Sequence, residues 1–491
     1  MSGKRQYLVF DLGASNGRAM VAECDGSTFS MEVVHRFENR PVHAAGTLYW
    51  DILRLFSEVK IGLQAAFKKY KDICSLGIDT WGCDFGLLDK NGKLLSNPVN
   101  YRDEKRHAYT PKLYTVLPRK KLFQLSAGSM NEIMGIFQLF AFTQDRAVEL
   151  ESGDRFLMMP DLLNYLLTGV PVNEYTDATM ALVCNQNTKT WEKELFSRLG
   201  IPEHLFRDII FPGDTIGHVS KQVREELDIP IVPVIAVASH DTASAVTGLP
   251  IGRTDKSWAF ISLGTWCISG IETEKPIIND EVYNLGYGNN AVAGGRNMLV
   301  NYITGLWIIQ QCRMKWIHET GRDISWDEVV KESDSSEPGR AFIDVDEPIF
   351  GDPKVDTQAE IIRYCGKRGV NILPSVGAIA RCIYESLVLK FRHSLLCLEK
   401  ITGKKIEIIH LVGGGSQNER LCQWTADSMG SVVIAGPTET TSVGNLLMQL
   451  YANGEIKSVE EGRVLSLNSS KVKHFQPREK SYWDNLYAKY L

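Results

Sequence analysis

Tyr7-Leu-Val-Phe-Asp-Leu-Gly-Ala-Ser-Asn-Gly-Arg-Ala-Met-Val-Ala-Glu-Cys24 decides the fold. Its apolar, β-branched ends flank the small-residue segment Gly13–Gly17, and the pattern predicts strand, tight turn, strand. Asp25-Gly26 then marks a second hairpin turn. Outward from this unit, Leu53, Phe56, Val59, Leu63, Ala66 and Phe67 recur at helical spacing over 51–70. A strand follows from Ser75 to Asp79, ending in Thr80-Trp81-Gly82, and residues 132–150 and 160–168 have helical patterns. The run Pro230 to Ala238 predicts a buried strand that stops at Ser239-His240-Asp241-Thr242. The opening pattern then returns: Ser257 to Gly270 reads SWAFISLGTWCISG, again strand, Gly-Thr turn, strand. A second domain that opens with the same unit is the simplest reading. It predicts domains at 1–246 and 247–491. Further on, a helix from Pro374-Ser375 to Gly403, a strand from Ile406 to Val412, Gly413-Gly414-Gly415, a helix to Met429 and a strand from Val432 to Ala435 complete an α/β chain with mixed sheets.

Composition narrows the function. A chain of 491 residues is too long for one ordinary core. A net charge of −5 argues against nucleic acid or an anionic membrane as partner. The ten cysteines form no C-x-x-C pair, so reduced core thiols in a cytoplasmic protein, and no disulfide, are expected. The start runs from a short basic stretch straight into a strand without the apolar core of a signal peptide.

Several short matches fail on context. Asp84-Phe85-Gly86 spells the protein-kinase magnesium motif, but no H-R-D-x-x-x-x-N follows it. Gly13-Ala14-Ser15-Asn16-Gly17 spells a nucleophile elbow, yet it is the first turn of the chain and leads into a strand. Ser239-His240-Asp241 cannot form a relay, because adjacent side chains diverge. No Gly-Lys pair completes a P-loop.

Three small-residue turns after buried strands remain: 13–17 with Arg18 beside it, Gly264-Thr265, and Gly413–Gly415. A phosphate chain needs close backbone approach, free N–H groups and hydroxyls, and such turns supply all three. Asp11, two residues before the first turn, has as its functional role a magnesium ion held through water, and as its structural role a turn cap. Asp241 closes an apolar run and opens a helix; it reads either as an N-cap or as a general base that accepts one proton during phosphoryl transfer to a hydroxyl. Trp81, Gly82 and His240 complete an aromatic-walled polar pocket.

The motifs DLGASNGR (11–18), IDTWGCDFGLLD (78–89), NYRD (100–103), MPDLLNYLLTG (159–169), EYTDATMALV (174–183), VASHDTASAV (237–246), SLGTWCISG (262–270), TGLWIIQ (304–310), LVGGGSQN (411–418) and AGPTETTSVGN (435–445) resemble, in this order, the FGGY carbohydrate kinases. The likeness spans nearly the whole chain and is greatest to the branch that phosphorylates L-rhamnulose. It implies two ribonuclease H-like lobes of the actin, hexokinase and Hsp70 ATPase type with a cleft between them. It also implies ATP and Mg²⁺ as cofactors, a small ketose as substrate, L-rhamnulose 1-phosphate as product, and a monomer or homodimer. By motif it makes Asp241 the proton acceptor, puts Gly82, His240 and Thr242 at the sugar, and puts Ala14, Ser15, Asn16, Gly17, Arg18, Thr265, Gln310 and Gly414 at ATP. One departure bears on specificity: where the family pattern has a sugar-binding asparagine, this chain has Tyr302, with Asn301 one residue earlier. L-Fuculose, the C4 epimer, stays open as the alternative substrate. So do two other function classes: a sugar-responsive regulator, which lacks a DNA-binding segment ahead of Tyr7, and an ATPase without a sugar acceptor, which needs no Ser-His-Asp-Thr segment.

Overall fold

A computed structural model describes residues 4–490. The chain forms two compact units, each drawn from separate stretches. The first comprises Met1–Arg253, Glu272–Leu299 and Thr440–Ser470; the second comprises Thr254–Ile271, Val300–Glu439 and Lys471–Leu491.

In the first unit the opening stretch forms the strands Arg5–Leu12 and Asn16–Cys24, paired antiparallel across the Gly13–Ser15 turn. Phe29–Glu38 adds a third strand after the Asp25 turn, where the Asp25 carboxylate accepts from the Ser27 and Thr28 N–H groups. The sheet order is Thr215–His218, Pro233–Ile235, Ile73–Thr80, Arg5–Leu12, Asn16–Cys24, Phe29–Glu38. Ile73–Thr80 runs parallel to both Arg5–Leu12 and Pro233–Ile235, so the carboxyl ends of these three strands share one edge of the sheet. Ligands bind outside that edge in α/β sheets.

The helix Ile52–Lys69 buries Ile52, Leu55, Val59, Leu63, Ala66 and Phe67 along one stripe, is capped by Asp51, and places Gly62 against the Phe10 ring. Two expectations are refined. The apolar run before Ser239 is a strand only over Pro233–Ile235; Pro230, which has no N–H for a ladder, lies outside it. The pattern over 132–150 gives two helices, Gly135–Asp145 and Val148–Ser152, parted where Arg146 turns left-handed at φ 49°.

In the second unit the hairpin is built again: Trp258–Leu263 pairs antiparallel with Trp266–Thr273. The sheet runs on in the order Trp266–Thr273, Trp258–Leu263, Ile408–Val412, Val432–Ala435, Lys473–Phe475. Ile408–Val412 is parallel to Trp258–Leu263, the same relation that Ile73–Thr80 has to Arg5–Leu12. The helix Val376–Thr402 starts at its Ser375 cap and stops at Gly403, whose φ of 67° suits glycine. All ten cysteines are free. Among the described residues, no helix is long and apolar enough to cross a membrane.

Candidate active site

Three carboxylates stand at the shared edge of the first sheet. Asp11 and Asp79 are register partners on adjacent parallel strands, so their side chains leave the same face. Asp241 follows the third strand. Thr80 N–H donates to the Ser239 carbonyl at 2.8 Å and Thr80 bridges His240, which brings Asp241 to the start of the helix Asp241–Thr247. The three interact electrostatically: the charges of Asp11 and Asp241 both raise the Asp79 carboxyl, which burial already holds well above the ordinary range.

The strand ends are tied down by the helix Thr440–Ala452. Ser442, Asn445 and Gln449 lie three and four residues apart and so share one helix face. Ser442 Oγ donates to Asp11 Oδ2 at 2.7 Å, Asn445 Nδ2 donates to Asp79 Oδ2 at 2.7 Å, and Gln449 Nε2 donates to the Leu8 carbonyl at 3.0 Å. Asp79 Oδ1 is buried without a partner. Arg18 donates to Asp11 Oδ2 at 2.9 Å, so its charge faces Asp11.

Asp241 is the open member of the trio, with 36% of its side-chain surface exposed. Burial of its surroundings raises the carboxyl to about 6; hydrogen bonding to Thr242, 3.1 Å away, holds it lower, and Asp11 pushes it up. A carboxylate with that pKa is ionised at neutral pH and basic enough to take a hydroxyl proton. His240 Nε2 lies 3.4 Å from Asp241 Oδ1, and burial lowers His240 to about 3, so the ring is neutral. The segment is held from behind by the short helix Tyr175–Ala178: Glu174 accepts from Ser239 N–H at 3.1 Å, and Thr176 Oγ1 accepts from His240 N–H at 3.3 Å.

Trp81 and Gly82 follow Thr80 directly. An added Cβ at Gly82 would sit 2.7 Å from Met180 and 3.1 Å from Asp177 Oδ1, so any side chain there would collide with the Asp177 helix region. The Trp81 ring packs on Trp50 with centroids 4.2 Å apart, and both indoles donate to buried Asp84. Asp177 is fully buried with neither carboxyl oxygen partnered.

The three small-residue turns differ in what their glycines do. In the first, Asn39 pins the loop from outside, donating to the Gly13 carbonyl at 2.9 Å and, through its N–H, to the Ser15 carbonyl at 2.9 Å. Ser15 and Asn16 stay exposed and Ala14 is half-buried. Gly17 is buried under Phe37, whose ring a Cβ would meet at 2.3 Å, so packing explains that glycine. In the second unit, Gly264 accepts from Leu306 N–H and Thr265 from Trp307 N–H, each at 3.1 Å, which seats the helix Trp307–Thr320 on the turn. Gln310 on that helix lies 3.5 Å from Thr265 Oγ1. Gly413 has φ 82°, and Gly415 is pressed against Leu263 and Leu306, but Gly414 is exposed with nothing within 4 Å of an added Cβ. Asn301 and Tyr302 are both half-buried on the strand Asn297–Thr304 and, being consecutive, face opposite sides of it.

Of the residues that the sequence singled out, the first unit brings Asp11, Trp81, Gly82, His240 and Asp241 to one sheet edge and the segments beside it. Sequence reasoning gave no role to Asp79, Asp84, Asp177, Ser442 or Asn445. The spacing of Ser442, Asn445 and Gln449 was the one readable signal for the last two. Among the described residues, no group of three or more His, Cys, Asp or Glu side chains is arranged to hold a metal directly. The donors at the edge are nonetheless hard carboxylate oxygens, one of them unpartnered at Asp79, which suits Mg²⁺ held partly through water and phosphate.

Known proteins resemble this chain over most of its length. Models of the FGGY family of carbohydrate kinases match this chain twice, the N-terminal domain over residues 6–248 and the C-terminal domain over 259–453. A rhamnulokinase of Bacteroides thetaiotaomicron is 36% identical over 484 residues, covering 99% of this chain and 98% of that one. A rhamnulokinase of Bacillus subtilis is 35% identical, with 96% of each chain covered. Among solved structures, a gluconate kinase from Lactobacillus acidophilus matches with a TM-score of 0.82 at 15% identity, covering 99% of this chain and 97% of that one. The ADP-bound glycerol kinase of Plasmodium falciparum matches with a TM-score of 0.77 at 16% identity, again over 99% and 97%.

Proposed function

Because the chain belongs to the FGGY family of carbohydrate kinases, we propose that it transfers the γ-phosphoryl group of ATP to O1 of L-rhamnulose, giving L-rhamnulose 1-phosphate. The observation that carries the chemistry is Asp241: a partly open carboxylate at the sheet edge, raised to about 6, beside a neutral histidine. The substrate follows from the relatives, which are rhamnulokinases over nearly their full length.

In this reading the ketose lies against Trp81, Gly82, His240 and Thr242, with Asn301 as a further contact. Asp241 takes the O1 proton as the phosphoryl group moves. In a loose transition state that proton leaves late, so a base of pKa about 6 suffices. His240, uncharged, offers a hydrogen bond to a sugar hydroxyl without competing for the proton. Ala14, Ser15, Asn16, Gly17 and Arg18 serve ATP, as do Thr265, Gln310 and Gly414 in the second unit. Arg18 also balances Asp11, which lowers the repulsion a phosphate would meet there. Asp11 would hold a magnesium ion, which would supply charge stabilisation at the phosphates. We place this reaction in the cytoplasm, where thiols such as the ten free cysteines stay reduced.

The test is kcat/KM for ATP-dependent phosphorylation of L-rhamnulose, L-fuculose, L-ribulose, D-xylulose and glycerol in one coupled assay. The proposal requires L-rhamnulose to lead by about tenfold or more, the span that one or two lost hydrogen bonds give. A lead for L-fuculose would keep the kinase and move the specificity to the Asn301–Tyr302 strand.

A further inference from the structure

We propose that the first unit carries a second ligand site: a cavity that binds a nucleoside monophosphate and shares its walls with the elements that hold Asp79 and Asp241, so that its occupancy regulates the reaction. The inference goes beyond the ketose-kinase reading above, and the binding it describes does not depend on that reading.

The cavity has a volume of about 560 Å³, within the range of small-molecule sites. Its lining comes from scattered stretches of the first unit: Tyr175, Lys189, Phe211, the loop 292–296, Met448 and Tyr451 on the helix Thr440–Ala452, and residues 457–460. Asp11, Asp79 and Asp241 are not among its lining residues. Two kinds of group meet there. Phe211 and Tyr451, 38% and 45% exposed, give it open ring surface. Both rings are held in place. Phe211 packs on buried Tyr175 with centroids 5.4 Å apart, and Tyr451 lies so close over Gly213 that a Cβ there would meet the ring at 2.6 Å. The second kind of group is positive charge. Lys189 Nζ donates to the Gly295 carbonyl at 2.9 Å, and among the described residues no carboxylate pairs with Lys189 or Lys457. Glu460, the carboxylate of the lining, is spent on Arg296, 2.6 Å away. The cavity therefore keeps two ammonium groups without a carboxylate partner.

Fixed, open rings suit a flat heterocycle, which has a face to stack on them. Ammonium groups suit a phosphate. A nucleoside monophosphate joins both in one molecule of the size such a cavity takes. Inorganic phosphate would leave the rings unused, and a nucleoside would leave the lysines unpaired. The same walls connect the cavity to the reacting groups. Tyr175 opens the helix Tyr175–Ala178, whose Thr176 Oγ1 accepts from His240 N–H at 3.3 Å. Met448 and Tyr451 belong to the helix whose Asn445 donates to Asp79 at 2.7 Å. A ligand that shifts either helix shifts the support of Asp241 or of Asp79.

The test follows hydrogen exchange at residues 292–296 and 457–460 of the full chain as AMP, adenosine or inorganic phosphate is titrated in, and reads kcat for its best ketose at saturating ATP with and without AMP. The variants are Lys189→Ala/Lys457→Ala and Tyr451→Ala, each checked by its melting temperature. The lysine pair lies at the surface, so its loss tests the site without threatening the fold. The proposal expects AMP to protect these residues at concentrations at least about tenfold below those that adenosine or phosphate needs. It expects each variant to weaken that protection by about tenfold, while kcat without AMP stays within about twofold. AMP should change kcat by at least about twofold in the wild type and leave the lysine variant unaffected. Absence of protection at these residues overturns the site, and so does protection that persists unchanged in both variants. Protection by phosphate or adenosine at the same concentration as AMP overturns the ligand class. Protection by AMP without a change in kcat overturns the regulatory role. A chain that shows the AMP protection but phosphorylates no ketose overturns the kinase reading and upholds the site.

Discussion

Gly444 touches Ser244 so closely that a Cβ on Gly444 would lie 1.8 Å from the Ser244 carbonyl oxygen. This contact joins the helix Thr440–Ala452, which ties down Asp11 and Asp79, to the helix Asp241–Thr247, which begins with Asp241. Gly248 sits in the same contact, where its Cβ would meet the Thr440 carbonyl at 2.3 Å. No other residue lets the two backbones approach this far.

Gly444→Ala follows from that geometry. In a free helix the change gains about 1 kcal/mol of propensity. Here backbone must move, and overpacking of this kind costs about 1–3 kcal/mol or more. The variant is expected to lose stability in urea denaturation despite its better helix former, and to lose kcat more than KM for ATP, because Asp241 shifts against Asp11.

Much of this was legible in the sequence, for local reasons. The turn at 13–17 announces itself through small residues between apolar strands, and Asp241 stands out as a charge closing an apolar run. Asp79 did not, because its importance lies in parallel register with Asp11, a pairing fixed by the sheet and not by any neighbouring residue. Asp84 was visible only as part of a misleading triplet; its donors come from positions 50, 81, 101 and 106. Ser442, Asn445 and Gln449 form a polar helix face that reads as solvent-facing, yet it is buried against strand ends. The return of Thr440–Ser470 to the first unit is likewise a tertiary fact without a local signal.

The pH profile of kcat/KM should carry the mark of Asp241. The base must be ionised to accept a proton. Burial raises its pKa to about 6, above the value of about 3.9 for a free aspartate, so the proton leaves later as pH rises. The acid limb should therefore bend near pH 6 with unit slope, and activity should be nearly full at pH 8. A limb near pH 4 would mean that the free enzyme's base is an ordinary exposed carboxylate.

The glycines of the third turn should separate by role. Gly414→Ala adds a methyl group into open space and should leave the melting temperature within about 1 °C while raising KM for ATP several-fold. Gly415→Ala drives a Cβ to 2.6 Å from Leu306 and 2.7 Å from Leu263, and should destabilise by about 1–3 kcal/mol. Thermal melts and ATP titrations of the two variants, side by side, check both.

Asp241→Asn addresses the central claim most directly, read by kcat in the coupled assay with ketose binding measured separately by calorimetry. The amide keeps the size of the side chain and removes the base. The account predicts a fall in kcat of roughly 10²–10⁴ with ketose affinity within a few-fold of the wild type. A near-normal kcat in a folded, ketose-binding Asp241→Asn variant would contradict it and remove Asp241 from the proton-accepting role.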